Sequence, residues 1–401
     1  RRRGFEQSFP MLYGAGSHFS DMAGGDAHRH PVLYRDNGLL IDELPDDFYS
    51  TTFYTDRIIE QIDSNVDDGR PFFAYLAYTA PHWPLQAPDS IIDKYRGAYD
   101  RGYDSVRQHR FAAQQKLGLF DGSIQAPQRP GYVKPWVDLS DQERTYHARN
   151  MEIYAAMVDY MDTGIGRVID YLDKRDQLDN TIIVFISDNG AEHWDHSSAP
   201  PPIGEFAANF DNSAENSGRQ GSFVLYGSEW AHVSNTPFSR YKGTTYEGGI
   251  RSPAVISWPD KIASGQVSRA ITHSSDWLPT FAELAGAGTQ NVSGKSLVGL
   301  LTGSVEQVRD SSETVGMEIW GKRGIIANGY KLVSSGKPNE LVDWELYNLQ
   351  ADPGEQIDLA QRQPEVFNSM LKHWNDYVAN NNVILPEGPF TVRPVGKKPV
   401  E

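Results

Sequence analysis

The chain has 401 residues, of which 39% are hydrophobic, 11% aromatic and 22% charged, as in an ordinary globular protein. Its 53 acidic side chains outnumber the 37 basic ones and give a formal net charge of -16. This balance argues against nucleic acid or an anionic membrane as the main partner, because both need a basic surface. Cysteine is absent, so disulfides, thiolate metal sites and a cysteine nucleophile are excluded for these residues. No apolar run reaches the roughly 18 residues that a membrane span requires.

The first predicted elements lead to a proline-rich loop. A short helix is predicted around residues 53–62, and residues 71–79 are almost all aromatic or aliphatic, which predicts a buried strand. The strand is expected to end at Ala80-Pro81-His82-Trp83-Pro84, because prolines continue neither a strand ladder nor a helix. His82 therefore lies in a loop at a strand end, where catalytic groups are often mounted. The alternative is a histidine that is merely bonded to a nearby carbonyl group.

The middle of the chain alternates helix and strand as α/β proteins do. Residues 93–147 are charged and irregular, which indicates a surface insertion, whereas residues 150–173 have apolar side chains at three- and four-residue intervals and predict a helix. A continuous apolar run at 181–186 predicts a buried strand that ends at Ser187-Asp188-Asn189-Gly190. This order favours an α/β fold with a large mixed, mostly parallel sheet between helices.

The remaining segments predict a small C-terminal α+β subdomain after about residue 304, with an antiparallel sheet and a long helix. The predicted elements are strands at 222–226 and 254–258, a helix at 277–284, strands at 324–333 and 344–349, and a helix at about 364–378.

Four side chains in two loops could carry chemistry or hold a structure together. Asp188 and Asn189 follow the predicted middle strand and have the oxygen atoms that calcium prefers, although Asp-Asn-Gly is also a common turn sequence. Lys242 lies in a loop rich in glycine and hydroxyl groups, where its ammonium group could bind an anionic substrate or simply be solvated. Arg251 is predicted to be structural and to pair with an acidic residue of the Glu247-Gly248-Gly249 turn.

Together these segments resemble the sulfatases of the alkaline-phosphatase-like superfamily, and most of all the bacterial-type arylsulfatases. The motifs that carry the resemblance are Pro81-His82-Trp83-Pro84, Ser187-Asp188-Asn189-Gly190, Tyr241-Lys242-Gly243 with Glu247-Gly248-Gly249-Ile250-Arg251, Asp276-Trp277-Leu278-Pro279-Thr280, and Leu346-Tyr347-Asn348-Leu349 with Asp352-Pro353. The resemblance implies a sulfatase-type α/β catalytic domain over residues 1–304, with its N-terminal part missing. Residues 305–401 are then the C-terminal α+β subdomain.

The resemblance also implies hydrolysis of small-molecule sulfate monoesters. Asp188 and Asn189 would be ligands of Ca²⁺, with Mg²⁺ as a second option. His82 would bind the sulfate and help to protonate the leaving oxygen, and Lys242 would bind a sulfate oxygen. Asp188 or the metal would assist deprotonation of the nucleophile. A divalent cation, a lysine and a histidine suit the negative charge that develops when such an ester is cleaved.

The sequence departs from the family at the nucleophile. In sulfatases a formylglycine is made from Cys or Ser in a Cys/Ser-x-Pro-x-Arg motif, which is absent here. Because Arg3-Gly4-Phe5-Glu6 resembles the junction that follows this region, we expect the formylglycine in a missing N-terminal segment and expect the chain alone to be inactive. Two alternatives stay open: a phosphonate or phosphate ester hydrolase of the same superfamily, and a non-catalytic sulfatase-like binding protein. The particular ester, the oligomeric state and the compartment are not predicted.

Overall fold

A computed structural model describes residues 4–25, 27–65, 69–195, 199, 201–289, 291–335 and 344–385. The helices are α1 (Ser50–Asp63), α2 (Asp89–Lys94), α3 (Gly102–Lys116), α4 (Asp141–Lys174), α5 (Pro201–Ala207), α6 (Gly227–Ser234), α7 (Glu247–Ile250), α8 (Trp277–Leu284), α9 (Val298–Leu301) and α10 (Pro364–Asn381). The strands are β1 (Tyr34–Asp36), β2 (Leu39–Ile41), β3 (Ile183–Ile186), β4 (Ala254–Ser257), β5 (Val315–Ile319), β6 (Lys322–Ala327), β7 (Tyr330–Ser334) and β8 (Trp344–Asn348). Within the described ranges, no helix combines the length and the hydrophobicity that a membrane crossing requires.

The largest hydrophobic core surrounds α4, which packs against α1, α2 and α3. This helix begins at Asp141 and not near residue 150, because Ser140 and Glu143 form a capping box. The N–H of Glu143 donates to Ser140 Oγ at 3.3 Å, and the N–H of Ser140 donates to Glu143 Oε2 at 2.6 Å. The surface insertion predicted for residues 93–147 is wrong in part, since α3 lies inside that range and buries Tyr103 and Phe111.

The sheets of the described residues are all antiparallel. They are the pair β1–β2, the pair β3–β4 and the four-stranded sheet β5-β6-β7-β8. The predicted mixed α/β class is confirmed, but the strands that the structure describes do not form the predicted large, mostly parallel sheet. Residues 71–79 form no strand there, and Phe73 and Tyr75 are 61% and 71% exposed. A strand needs a neighbour to complete its hydrogen-bond ladder, and an apolar run does not reveal whether that neighbour exists.

The predicted C-terminal antiparallel sheet and long helix are confirmed. Where one strand was expected at 324–333, the chain forms a β6–β7 hairpin, because Asn328 and Gly329 adopt φ values of 53° and 76° and reverse its direction. Helix α10 covers one face of the sheet with the buried side chains of Met370 and Trp374. The candidate residues His82, Asp188, Asn189 and Lys242 lie in three loops. These loops follow residues 71–79, follow β3 and precede α7.

Candidate active site

His82 lies in the predicted loop between two prolines, with its ring against Trp83. Its Nδ1 is 2.9 Å from the carbonyl oxygen of Trp83, and a carbonyl oxygen can only accept, so Nδ1 carries the proton. The other ring nitrogen, Nε2, therefore accepts the hydrogen bond that Lys242 Nζ donates at 3.2 Å. The contact with a carbonyl group is the alternative considered for His82, and the contact with Lys242 brings two of the candidate residues together.

Glu192 provides the counter-charge for Lys242. Its Oε2 is 3.6 Å from Lys242 Nζ, and its Oε1 is 2.8 Å from the backbone nitrogen and 3.3 Å from the Nδ1 of His193. Burial alone would raise the pKa of Glu192, but the contacts with His193 and the charge of Lys242 outweigh burial and lower this pKa to about 2. Glu192 is therefore a carboxylate at neutral pH.

The imidazole of His82 is neutral at neutral pH. Burial lowers the pKa of His82, and the positive charge of Lys242 lowers it further. The carboxylates of Glu192 and Asp188 act in the opposite direction but do not cancel these two effects. An anion bound beside the ring would raise the pKa of His82, because an opposite charge favours the protonated form.

A second histidine, His18, supports the His82 loop from inside the protein. Its Nε2 lies 3.0 Å from the carbonyl oxygen of His82 and must donate to it, while Nδ1 lies 2.8 Å from the hydroxyl group of Ser50. The side chain of His18 is 1% exposed, and burial lowers its pKa to about 4. His18 therefore stays neutral at neutral pH and fixes the backbone at His82.

Asp188 and Asn189 lie just beyond the end of β3, as predicted. The Asn189 Nδ2 donates to the carbonyl oxygen of Gly190 at 2.9 Å, which leaves Oδ1 as the atom able to bind a cation. Asp188 is exposed, and none of the described residues donates a hydrogen bond to its carboxylate. A groove with a volume of about 2180 Å³ is lined by Asp188 and Asn189 and also by His82 and Lys242. The four residues predicted from the sequence thus share one surface.

Two loops of this surface are joined through their backbones. The N–H of Lys242 donates to the carbonyl oxygen of Ala191 at 3.0 Å, and the N–H of Gly190 donates to that of Gly249 at 3.1 Å. A Cβ atom at Gly190 would lie 1.7 Å from the carbonyl oxygen of Gly248, so a side chain at this position would separate the loops. The glycines therefore allow the Asp188 turn and the Lys242 loop to lie in contact.

The donor set at the β3 end fits a hard cation in part. A carboxylate and an amide oxygen are ligands that Ca²⁺ accepts, but this ion takes six to eight oxygen atoms. In the described portion of the chain, no group of three or more His, Asp or Glu side chains is placed to hold a metal ion. Asp188 and Asn189 can therefore hold one side of a calcium ion, and further ligands are needed.

Arg251 has the structural contacts that were predicted for it. Its Nη1 is 3.4 Å from Glu247 Oε2, and its guanidinium group lies 4.9 Å from the ring centre of Phe238. Sequence reasoning missed Glu192 and His18. The position of Glu192 in the loop after the candidate metal ligands was a usable signal, whereas nothing local to His18 indicates that it meets the His82 loop.

The sequence matches known sulfatases over most of its length. A family model described as Sulfatase matches residues 4–287, and one described as N-sulphoglucosamine sulphohydrolase, C-terminal, matches residues 241–379. An uncharacterized sulfatase of Schizosaccharomyces pombe is 37% identical over 416 residues, which cover 98% of this chain and 74% of that protein. An arylsulfatase of Klebsiella aerogenes is 38% identical over 289 residues, which cover 71% of this chain and 61% of that protein. The chain thus spans less than two thirds of the arylsulfatase.

Solved structures show the same fold at lower identity. Ps i-CgsB in complex with k-i-k-neocarrahexaose has a TM-score of 0.63 at 21% identity, with 98% of this chain and 70% of that chain covered. BT4656 in complex with its substrate D-glucosamine-2-N,6-O-disulfate has a TM-score of 0.58 at 21% identity, with 95% and 77% covered. Because the Sulfatase model matches more than half of the sequence and the S. pombe relative matches nearly all of it, the chain belongs to the sulfatase family.

Proposed function

We propose that this chain forms the sulfate-binding and leaving-group side of an arylsulfatase-type site that hydrolyses sulfate monoesters. The observation that carries the proposal is the 3.2 Å contact between Lys242 Nζ and His82 Nε2, on a groove that Asp188 and Asn189 also line. A sulfate monoester has negative oxygen atoms that an ammonium group can bind, and its leaving oxygen needs a proton that an imidazole can supply.

In this proposal the ester changes the partners of both groups. A sulfate oxygen replaces His82 as the acceptor of the Lys242 N–H, and Glu192 holds the ammonium group close to its position. The bound anion raises the pKa of His82, which takes up a proton from solvent at Nε2. As a nucleophile bonds to sulfur and the S–O ester bond breaks, this proton passes to the leaving oxygen, and His82 returns to its neutral form.

Two parts of the site are proposed from the family resemblance together with the residues present. Asp188 and Asn189 would hold Ca²⁺, or Mg²⁺ in its place, which when bound would offset negative charge on the sulfate oxygens. The nucleophile would be a formylglycine outside these 401 residues, because the sequence has neither cysteine nor a Ser-x-Pro-x-Arg motif. We therefore expect the 401-residue chain to bind sulfate esters without turning them over.

Binding of 4-nitrophenyl sulfate to the purified chain in the presence of calcium tests the proposal. The ring signals of His82 in NMR spectra report the binding. Lys242→Met should weaken binding at least tenfold, because the cation that holds the sulfate is lost. Lys261→Met is the matched control, since Lys261 lines the same groove and makes no contact with His82. Equal affinities of the Lys242→Met variant and the unmodified chain would contradict the proposal.

Turnover separates the proposal from its alternatives. Hydrolysis at roughly 1 s⁻¹ or faster by the chain alone would show that the nucleophile lies within it. Preference for an aryl phosphate or phosphonate over the sulfate would favour the other hydrolase class. A version that includes a Cys/Ser-x-Pro-x-Arg segment and binds the ester without cleaving it would favour a binding protein.

A further inference from the structure

The loop that carries Lys242 is supported by the C-terminal sheet. Thr245 Oγ1 donates to the carbonyl oxygen of Arg323 on β6 at 3.0 Å, and the hydroxyl group of Tyr246 donates to the carboxylate of Glu345 on β8 at 2.5 Å. The two acceptors belong to two strands of the same sheet, and the two donors lie three and four residues after Lys242. The position of the loop therefore depends on the C-terminal sheet as well as on the larger core.

A buried cluster of charged side chains lies between the Lys242 loop and the C-terminal sheet. Lys331 Nζ, on β7, is 2.9 Å from Glu247 Oε1 and 2.9 Å from Glu355 Oε1, and the side chains of Lys331 and Glu355 are fully buried. Glu355 Oε2 in turn accepts the N–H of Glu247 at 2.8 Å and the hydroxyl group of Ser239 at 2.9 Å. Ser239 and Glu247 lie on either side of Lys242 in sequence, so one ammonium group organises both ends of its loop.

We propose that Lys331 is a positioning residue of the site, whose ammonium group, through Glu247 and Glu355, fixes the loop so that Lys242 meets His82. Lys331 itself touches no substrate, and the inference rests on the proposed function only for the role of Lys242 in binding sulfate. Without the ammonium group, two buried carboxylates would face each other with no cation between them, and their repulsion and desolvation would push the loop off the sheet. The contact of Lys242 with His82 would then be lost.

The pKa of His82 distinguishes a positioning role of Lys331 from a general contribution of Lys331 to stability. The side chain of His82 is influenced by Lys242, Glu192 and Asp188, and its carbonyl oxygen accepts the hydrogen bond from His18. When Lys242 withdraws, its positive charge no longer opposes protonation of the ring while both carboxylates still favour it. The pKa of His82 therefore rises in any variant that frees the loop, and a variant that is merely less stable but keeps the loop in place leaves this pKa unchanged.

NMR titration of the His82 ring in the 401-residue chain tests the inference. Lys331→Met is expected to raise the pKa of His82 by at least half of the rise that Lys242→Met causes, and Lys331→Arg is expected to restore most of the unmodified value. Lys331→Met/Glu355→Gln removes one carboxylate together with the ammonium group and so keeps the net charge of the cluster. It also removes the repulsion between the two carboxylates, but the cation that joins both ends of the loop is still absent. It is therefore expected to raise the pKa of His82 by a smaller amount, and it provides the test where the single variant does not fold. Lys372→Met, at an exposed lysine of α10, is the matched control and should change nothing.

Two results would overturn the inference. One is a folded Lys331→Met or double variant in which His82 titrates as in the unmodified chain. The other is failure of both variants to fold, because Lys331 would then be required for folding and not for positioning. Sulfate binding is measured on the same samples. An unmodified chain that binds no sulfate contradicts the proposed function and leaves the His82 titration valid as a test of Lys331.

Discussion

Acidification is predicted to destabilise the protein through His18, the buried histidine beneath the His82 loop. Burial lowers the pKa of His18 to about 4, against about 6.5 in an unfolded chain. Between these values the unfolded chain binds a proton that the folded chain does not, so the stability from neutral His18 is complete above pH 6.5 and is lost as the pH falls towards 4. From pH 7.5 to pH 5 the loss from this one group is about 2 kcal/mol. The buried His232, whose pKa is lowered to about 3 by burial and then by Arg107, adds a loss of about 2 kcal/mol over the same range.

Urea unfolding at pH 7.5 and pH 5, followed by tryptophan fluorescence, measures this loss. His18→Gln can keep an N–H donor for the carbonyl oxygen of His82 but has no group that titrates, so its free energy of unfolding should fall by about 2 kcal/mol less than that of the unmodified chain. His109→Gln makes the same chemical change at an exposed histidine of α3 and is the matched control. If His18→Gln and the unmodified chain lost equal stability, the reasoning from burial would be refuted.

Three further substitutions test the charges and contacts of the site. Glu192→Gln is expected to lower the pKa of His82, because the negative charge of Glu192 raises this pKa. NMR titration of the His82 ring measures the change, and an unchanged pKa would show that the charge of Glu192 does not act on His82. Arg251→Lys is expected to lower the free energy of unfolding by about 0.5–1 kcal/mol through its lost stacking on Phe238, with sulfate affinity unchanged; normal urea unfolding together with lost sulfate binding would contradict this role. Chelation of calcium is expected to weaken sulfate binding by the unmodified chain but not by Asp188→Ala, and calorimetric titration showing equal effects would exclude Asp188 as a ligand.

The elements predicted well are those whose pattern is local. Helix α8 was predicted with its observed bounds, and β3 was predicted with its observed end but with a start two residues too early. Strand pairing was predicted poorly, because it depends on distant residues. Residues 71–79 have the composition of a buried strand and are largely exposed, whereas residues 222–226 are buried but form no strand. An apolar run signals a tendency to be buried, and its neighbours decide whether it becomes a strand.

The candidate site was found from residues with unusual local surroundings. His82 stands between prolines and Lys242 lies among glycines, but each signal is weak alone, and the family resemblance is what predicts a shared role for the two side chains that lie 3.2 Å apart. Glu192 and Lys331 were missed because each acts through a partner that is distant in sequence. The sequence around Lys331 predicts a strand with a solvated lysine. Only the tertiary structure shows that this lysine lies between two carboxylates.

The negative net charge of the chain does not exclude the proposed anionic ligand, because dissolved salt screens the charges that lie far from the groove. At physiological ionic strength charges beyond about 8 Å act weakly through solvent, so the total of -16 has little bearing on one groove. The charges that act on His82 are the ammonium group of Lys242 and the carboxylates of Glu192 and Asp188. With His82 neutral, two negative charges face one positive charge, and this balance alone disfavours an anion. A divalent cation at Asp188 would reverse the sign, which is why sulfate binding and the proposed calcium site are expected to depend on each other.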